Sequence, residues 1–123
     1  MIFFREAHRA DLPAIVRMLA QDTLGQLRKK YHEPLLRVYY EGFERIKADP
    51  NQELMVMESP ELGIIGTMQL SFIQYLTYQG GIRAQIEAVR IREDQRAKGW
   101  GKQLFEWAIR RAQEREAHLL QLT

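Results

Sequence analysis

Arg96-Ala97-Lys98-Gly99-Trp100-Gly101 decides how this chain is read, because of what flanks it. The segment before it, Ile82 to Ile91, alternates like a strand, and the segment after it, Lys102 to Glu116, has helical spacing. Two glycines and two cations between a strand and a helix N-terminus suit the holding of phosphate. Glycine lets the backbone approach a ligand and turn its amides inward. The helix start adds unpaired N–H groups and the positive end of the macrodipole. Arg96 and Lys98 add full charges.

Working outward, Ile82, Ala84, Ile86 and Ala88 are expected on one face of the preceding strand and Glu87, Val89 and Ile91 on the other. Past the loop, Leu104, Phe105, Ala108, Ile109 and Ala112 line one helical face, with Glu106, Arg110, Arg111, Gln113 and Glu114 expected in solvent. His118 to Thr123 reads as a last strand, parallel to Ile82–Ile91 through a right-handed crossover. Upstream, Gln79-Gly80-Gly81 marks a hairpin turn after a β-rich run from Ile64 to Tyr75. Ser59-Pro60-Glu61-Leu62-Gly63 is another turn, preceded by a strand from Glu53 to Glu58. Asp49-Pro50 stops a helix that Pro34 opens, with Leu35, Leu36, Tyr39, Tyr40, Phe43 and Ile46 as its apolar side. Before that lies a polar stretch, Thr23 to Glu33, holding the basic cluster Arg28-Lys29-Lys30. Asp11 is expected to cap a first helix carrying Leu12, Ile15, Val16, Leu19 and Ala20, with Pro13 in its first turn, and Met1 to Ala7 reads as a first strand. The order β, α, α, β, β, β, α, β predicts one α/β domain, residues 1–123, with a mixed sheet.

Composition sets outer bounds. With 123 residues, 46% hydrophobic and 28% charged, the chain reads as one small globular domain. It has no cysteine, which excludes disulfides, thiolate metal sites and a cysteine nucleophile, and fits a cytoplasmic setting. The N-terminus lacks the pattern of a signal peptide and no apolar run nears the ~20 residues of a membrane span, so no membrane association is expected. A net charge of +2, with bases interleaved among acids, does not point to nucleic acid. His8, His32 and His118 are scattered without metal-ligand spacing, so no metal is expected.

The segment Ile86-Glu87-Ala88-Val89-Arg90-Ile91 followed by Arg96-Ala97-Lys98-Gly99-Trp100-Gly101-Lys102-Gln103-Leu104 resembles the acetyl-CoA-binding motif of the GNAT superfamily of N-acetyltransferases. That motif is Gln or Arg, two residues, Gly, any residue, then Gly or Ala; Arg96, Gly99 and Gly101 fill it. The element order also resembles the GNAT fold from its first strand to its fifth. The resemblance implies a three-layer fold around a mixed sheet and acetyl-CoA as co-substrate. GNAT domains continue past the fifth strand with a helix and two more strands, and in many members that helix carries a tyrosine acting as general acid. The chain is expected to stop short of that region, so no residue here inherits that role. A homodimer covering an exposed strand edge is one expectation.

By the same resemblance, the CoA pyrophosphate sits on the amides of Arg96, Ala97, Lys98, Gly99, Trp100 and Gly101, with Lys102 following. The pantetheine arm pairs with the strand at Val89, Arg90 and Ile91, and the N–H of Val89 faces the thioester oxygen. An amine acceptor, protonated at neutral pH with a pKa of about 10, then needs a base before it attacks the acetyl carbon. Glu87 is the candidate, with burial expected to raise its pKa; the alternative is that it pairs with Arg83 or Arg90, or simply orders the strand. The base of the histone-acetylating branch, counted back from Arg96, would fall on Gln85, which argues against histone-type chemistry. Tyr39, Tyr40 and Tyr75 are candidate acceptor contacts, with core packing as the alternative for the first two. Trp100 is expected to pack rather than bind, and Arg96 and Lys98 have a plain reading as solvated charges. Against the enzyme stand two other classes: a non-catalytic acyl-CoA-binding module and, last, a nucleic-acid-binding domain.

Overall fold

In the computed structural model, residues 1–20 and 35–122 are described. The cluster Arg28-Lys29-Lys30, His32 and the helix start expected at Pro34 lie outside them. The strands are β1 (Phe3–Glu6), β2 (Gln52–Ser59), β3 (Gly63–Gln74), β4 (Ile82–Ile91) and β5 (Ala117–Leu122), and the helices α1 (Leu12–Ala20), α2 (Arg37–Ala48) and α3 (Trp100–Glu114). They form one sheet in the order β1-β2-β3-β4-β5. The first four strands pair antiparallel, and β5 joins β4 in parallel after the crossover through α3, as the element order predicted.

Local chemistry explains the boundaries. The Asp11 carboxylate accepts the His8 backbone N–H at 2.7 Å, inside a short 3-10 turn (Arg9–Asp11) that leads into α1. Asp11 therefore acts from within the turn, with His8 rather than Asp11 in the cap position, a correction to the expected arrangement. The helix α2 begins at Arg37 because Leu36 is extended (φ −61°, ψ 143°). Its end is an aspartate turn: the Asp49 side chain accepts the Asn51 N–H at 2.8 Å, ahead of β2. Between β2 and β3 the Ser59 hydroxyl accepts the N–H groups of Glu61 and Leu62 at 3.2 and 3.1 Å. The β3–β4 hairpin closes through Tyr75 to Gly81, and Tyr78 and Gln79 both adopt left-handed geometry in the turn.

The sheet separates two cores. Along β2, Met55 and Met57 face one side and Leu54 and Val56 the other, as pleating requires. The first side packs Met68, Leu70, Ala84 and Ile86 against Leu104, Ala108 and Ala112 of α3. The second packs Val56 against Leu12 and Ile15 of α1 and Phe43 of α2. Each large side chain fully buried here is worth about 1.5–3 kcal/mol relative to exposure. At Gly66 a Cβ would meet Ile91 Cδ1 at 3.1 Å and Leu104 Cδ1 at 3.3 Å, so the bare backbone is what lets α3 sit this close to the sheet.

Three expectations about facing are corrected. Ile109 is 47% exposed, outside the α3 stripe. Arg111, expected in solvent, reaches over β2 and closes on the buried Glu53 carboxylate at 2.6 Å, joined by Arg115 at 3.0 Å. In β4, the alternation does not run through. Glu87 pairs with Gln69 and Arg90 with Thr67, so Ala88 and Val89 together oppose Met68 alone. This is a β-bulge, with Ala88 at φ 55°. It shifts the side-chain phase by one: Ile82, Ala84 and Ile86 before it, and Val89 and Ile91 after it, all pack on the α3 side. Glu87 therefore points to the α1/α2 side, opposite Val89 and Ile91, instead of sharing their face.

Candidate functional site

The segment linking β4 to α3 is held at its entry and open along its length. Arg92 is fastened to the β2–β3 turn, donating from Nη1 to the carbonyl of Leu62 at 2.6 Å, and it forks onto Asp94 at 2.7 and 3.2 Å. The hydrogen bonds from Arg92 hold the Asp94 carboxyl below its ordinary pKa. The buried Gln95 side chain accepts the Trp100 indole N–H at 3.4 Å, which tucks both ends of the loop against the core. The Trp100 side chain is half-buried and packs against the core.

Between these anchors the backbone donors are left over. The Gln95 N–H bonds to Arg92 and the Gln103 N–H to Gly99; among the described residues, none of the N–H groups of residues 96–102 has a backbone acceptor in hydrogen-bond geometry. Gly99 is left-handed at φ 86°, the turn that swings this run into the first turn of α3. A Cβ at Gly99 or Gly101 would meet no protein atom within 4 Å, so space lies beside the donors. Arg96, Ala97, Lys98 and Lys102 are exposed, and Arg96 also donates to the Ile91 carbonyl at 3.3 Å. A row of N–H groups without backbone acceptors, with a helix N-terminus and three cations beside it, is the arrangement of an anion cradle.

The neighbouring half of β4 offers a second set of groups. The β4–β5 ladder runs from Ile82↔Ala117 to Ile86↔Leu122, so it does not cover Val89, Arg90 and Ile91. Arg90 folds its guanidinium onto the Val89 carbonyl at 2.9 Å. On the α1/α2 face a chain of side-chain hydrogen bonds runs along the strand. Arg83 Nη1 donates to Gln121 Oε1 at 3.1 Å, Gln121 Nε2 to Gln85 Oε1 at 3.0 Å, and Gln85 Nε2 to Glu87 Oε1 at 2.9 Å. Glu87 is the accepting end of an unbroken relay. Sequence reading named Glu87 but missed the relay, because Gln121 comes from β5 and only the parallel pairing brings it alongside. The alternation of Arg83, Gln85 and Glu87 was the one signal available.

The tyrosines are not gathered into one place by any contact the structure shows. Tyr40 packs in the core with Leu12 and Phe43 and carries the Arg9 guanidinium 4.3 Å over its ring. Tyr39 is half-buried on the same helix. Tyr75 sits at the hairpin end, with the Arg83 guanidinium 4.8 Å from its ring centre. A shallow recess between α2 and the β1–β2 edge is lined by Glu6, Phe43, Lys47 and Glu53, and holds none of the predicted site residues. Among the described residues no group of three or more His, Asp or Glu gathers as a metal site, and no helix is long and apolar enough to cross a membrane.

Residues 14–123 match the sequence profile of the acetyltransferase (GNAT) family. A solved structure called a transcriptional regulator, from Bacillus halodurans C-125, is 48% identical with a TM-score of 0.93; the match covers 100% of this chain and 81% of that one. Glucosamine-6-phosphate N-acetyltransferase from Arabidopsis thaliana is 17% identical at a TM-score of 0.82, covering 100% and 82%. A predicted acetyltransferase from Clostridium acetobutylicum, solved with acetyl-CoA, is 22% identical at a TM-score of 0.71, covering 100% and 80%. No curated protein sequence matches the chain.

Proposed function

Because the chain belongs to the acetyltransferase (GNAT) family, we propose that it transfers an acetyl group from acetyl-CoA to a primary amine of a small molecule or protein. The observation that carries this reading is the run of N–H groups at residues 96–102 without backbone acceptors, set at the N-terminus of α3. Acetyl-CoA supplies an acetyl group already activated as a thioester. The chain's own residues then divide the work. The amides from Arg96 to Gly101 bind the pyrophosphate, and Arg96, Lys98 and Lys102 strengthen that contact as exposed cations. The open stretch of β4 at Val89, Arg90 and Ile91 offers backbone groups for the pantetheine arm, in the manner of an added strand. The Val89 N–H steadies the acetyl oxygen as negative charge grows on it.

On the opposite face, Glu87 accepts the proton of the incoming ammonium, and the freed amine attacks the acetyl carbon directly; the C–N bond forms as the C–S bond breaks, and CoA leaves as the thiol with the proton the nitrogen then loses. The bulge at Ala88 explains how one strand serves both tasks. It turns Glu87 toward the α1/α2 side while Val89 and Ile91 stay with the α3 side. Tyr39, Tyr40 and Tyr75 remain acceptor contacts by proposal. A cytoplasmic setting fits a chain without cysteine.

A second reading, a non-catalytic acyl-CoA-binding module, draws on one observation: the 48% identical Bacillus halodurans protein is called a transcriptional regulator. Two measurements separate the readings. Calorimetry with acetyl-CoA is expected to show saturable binding, and no heat at millimolar ligand would sink both. Thiol release with a panel of amines is then expected to rise above the rate without amine. Binding with no amine-dependent release would leave the module as the answer.

A further inference from the structure

The cation at the head of the relay has no counter-charge within the described chain. Arg5 is neutralised by Asp11 and Glu58, Arg92 by Asp94, and Arg111 and Arg115 by Glu53. Arg83 is half-buried like these, yet among the described residues its one side-chain hydrogen bond goes to the neutral amide of Gln121, and its buried Nε has no partner there. Taking a guanidinium out of water without an anion leaves its desolvation uncompensated. The Arg83 guanidinium carbon lies over the Tyr75 ring, 4.8 Å from its centre, a cation–π contact that adds attraction without supplying a counter-charge. Every donor in the relay points away from Arg83, toward Glu87. The same sheet face therefore carries a cation at one end and a carboxylate at the other, four positions apart along β4, or about 13 Å at roughly 3.3 Å per residue.

We infer that Arg83 is an anion-recognition site for the acceptor, and that the acceptor is an amine bearing a carboxylate or phosphate several bonds from its amino group. This rests on the acetyltransferase reading and narrows its substrate. The ammonium is drawn to Glu87 and the anionic group to Arg83, where a fork of N–H donors matches paired oxygens. A neutral amine of the same shape leaves the guanidinium without a counter-charge. An amino acid whose carboxylate adjoins the amine is too short to reach both ends.

The test has two arms. In the first, the arginine Nε–H region of the 15N-labelled protein is followed by NMR, with CoA saturating so that the pyrophosphate loop is filled. Inorganic phosphate and succinate are titrated separately. The cross-peak assigned to Arg83 by its loss in Arg83→Gln is expected to shift saturably with at least one of them, and the responding anion tells phosphate from carboxylate. A peak that stays fixed with both overturns the proposal. In the second arm, thiol release from acetyl-CoA is compared for amines with a free distal carboxylate or phosphate and for their amide or alcohol counterparts. The anionic amines are expected to lead by about tenfold or more in kcat/KM, with the ratio collapsing in Arg83→Gln and only partly restored in Arg83→Lys. A preference that survives both variants overturns the proposal. If no amine releases thiol, the acetyltransferase reading fails, and the fate of the Arg83 peak still decides whether the anion site exists.

Discussion

At the scale of single residues, Gly101 and Glu87 show how one position serves the fold or the ligand. Gly101 lies in the first turn of α3, where a Cβ would touch no protein atom. Gly101→Ala is therefore expected to stabilise the free protein by about 0.5–1 kcal/mol through helix propensity. The same methyl enters the space beside the N–H row, so calorimetric affinity for acetyl-CoA should fall at least tenfold. Unchanged affinity would place the pyrophosphate elsewhere. At Glu87 the amide of Glu87→Gln still accepts from Gln85, so the relay survives the change. Acetyl-CoA affinity should hold, while turnover drops by about 10²–10⁴-fold, the range of a lost general base. Steady-state kinetics beside calorimetry checks the split, and equal turnover would remove Glu87 from proton transfer.

At the scale of elements, ionic contacts tie helices to strands that the chain alone keeps far apart. Glu53 on β2 is buried, with a 7% exposed side chain, and is held by Arg111 and Arg115 from the end of α3. Glu53→Gln leaves two guanidiniums facing a neutral amide. The arginines are each about a quarter to a third exposed, so solvent softens the loss, and about 2–3 kcal/mol of stability should go, below the cost of breaking a fully buried pair. Urea unfolding at pH 7 measures it. The second tie is Arg5 to Asp11, a fork of 2.7 and 3.1 Å joining β1 to the entry of α1. Burial works against ionisation of Asp11, but the hydrogen bonds from Arg5 and from the His8 N–H outweigh it, and its pKa lies below the ordinary value. A depressed carboxyl pKa means stability that is complete above the unfolded pKa of about 4. That stability is lost as pH falls from there through the folded value. Asp11→Asn is expected to be less stable at pH 6 and to lose less than the parent between pH 5 and pH 3. Parallel pH curves would show that the pair contributes nothing through charge.

At the scale of the whole molecule, the loop, the open stretch of β4 and α3 meet where two cores share one sheet. A ligand gripped there by strand and helix together binds the folded state and not the unfolded chain. Acetyl-CoA at about 100 times its Kd should add about 2.7 kcal/mol, or roughly 10 °C in Tm for a domain of this size. A thermal scan with and without acetyl-CoA checks this, and a Tm that does not move with ligand concentration would argue against a site built by the folded sheet.

The sequence by itself determined the order of elements, the mixed sheet with its parallel last strand, the glycine loop and the family. These rest on local signals: alternation, helical spacing, and turn residues whose meaning travels with their neighbours. The tertiary structure decided which way the key side chains face. Read as a plain alternation, the strand set Ile82, Ala84, Ile86 and Ala88 on one face and Glu87, Val89 and Ile91 on the other. Only the pairing with β3 shows that the extra residue is Ala88 and that Glu87 points away from Val89. Arg111 looked like a surface charge because its partner Glu53 is 58 positions away. The relay from Arg83 to Glu87 was hidden for the same reason, since Gln121 sits 36 positions beyond Gln85 and reaches it only across the parallel ladder. A side chain's partner across a sheet is set by register, and register comes from the packing of whole strands, which no local stretch of sequence encodes.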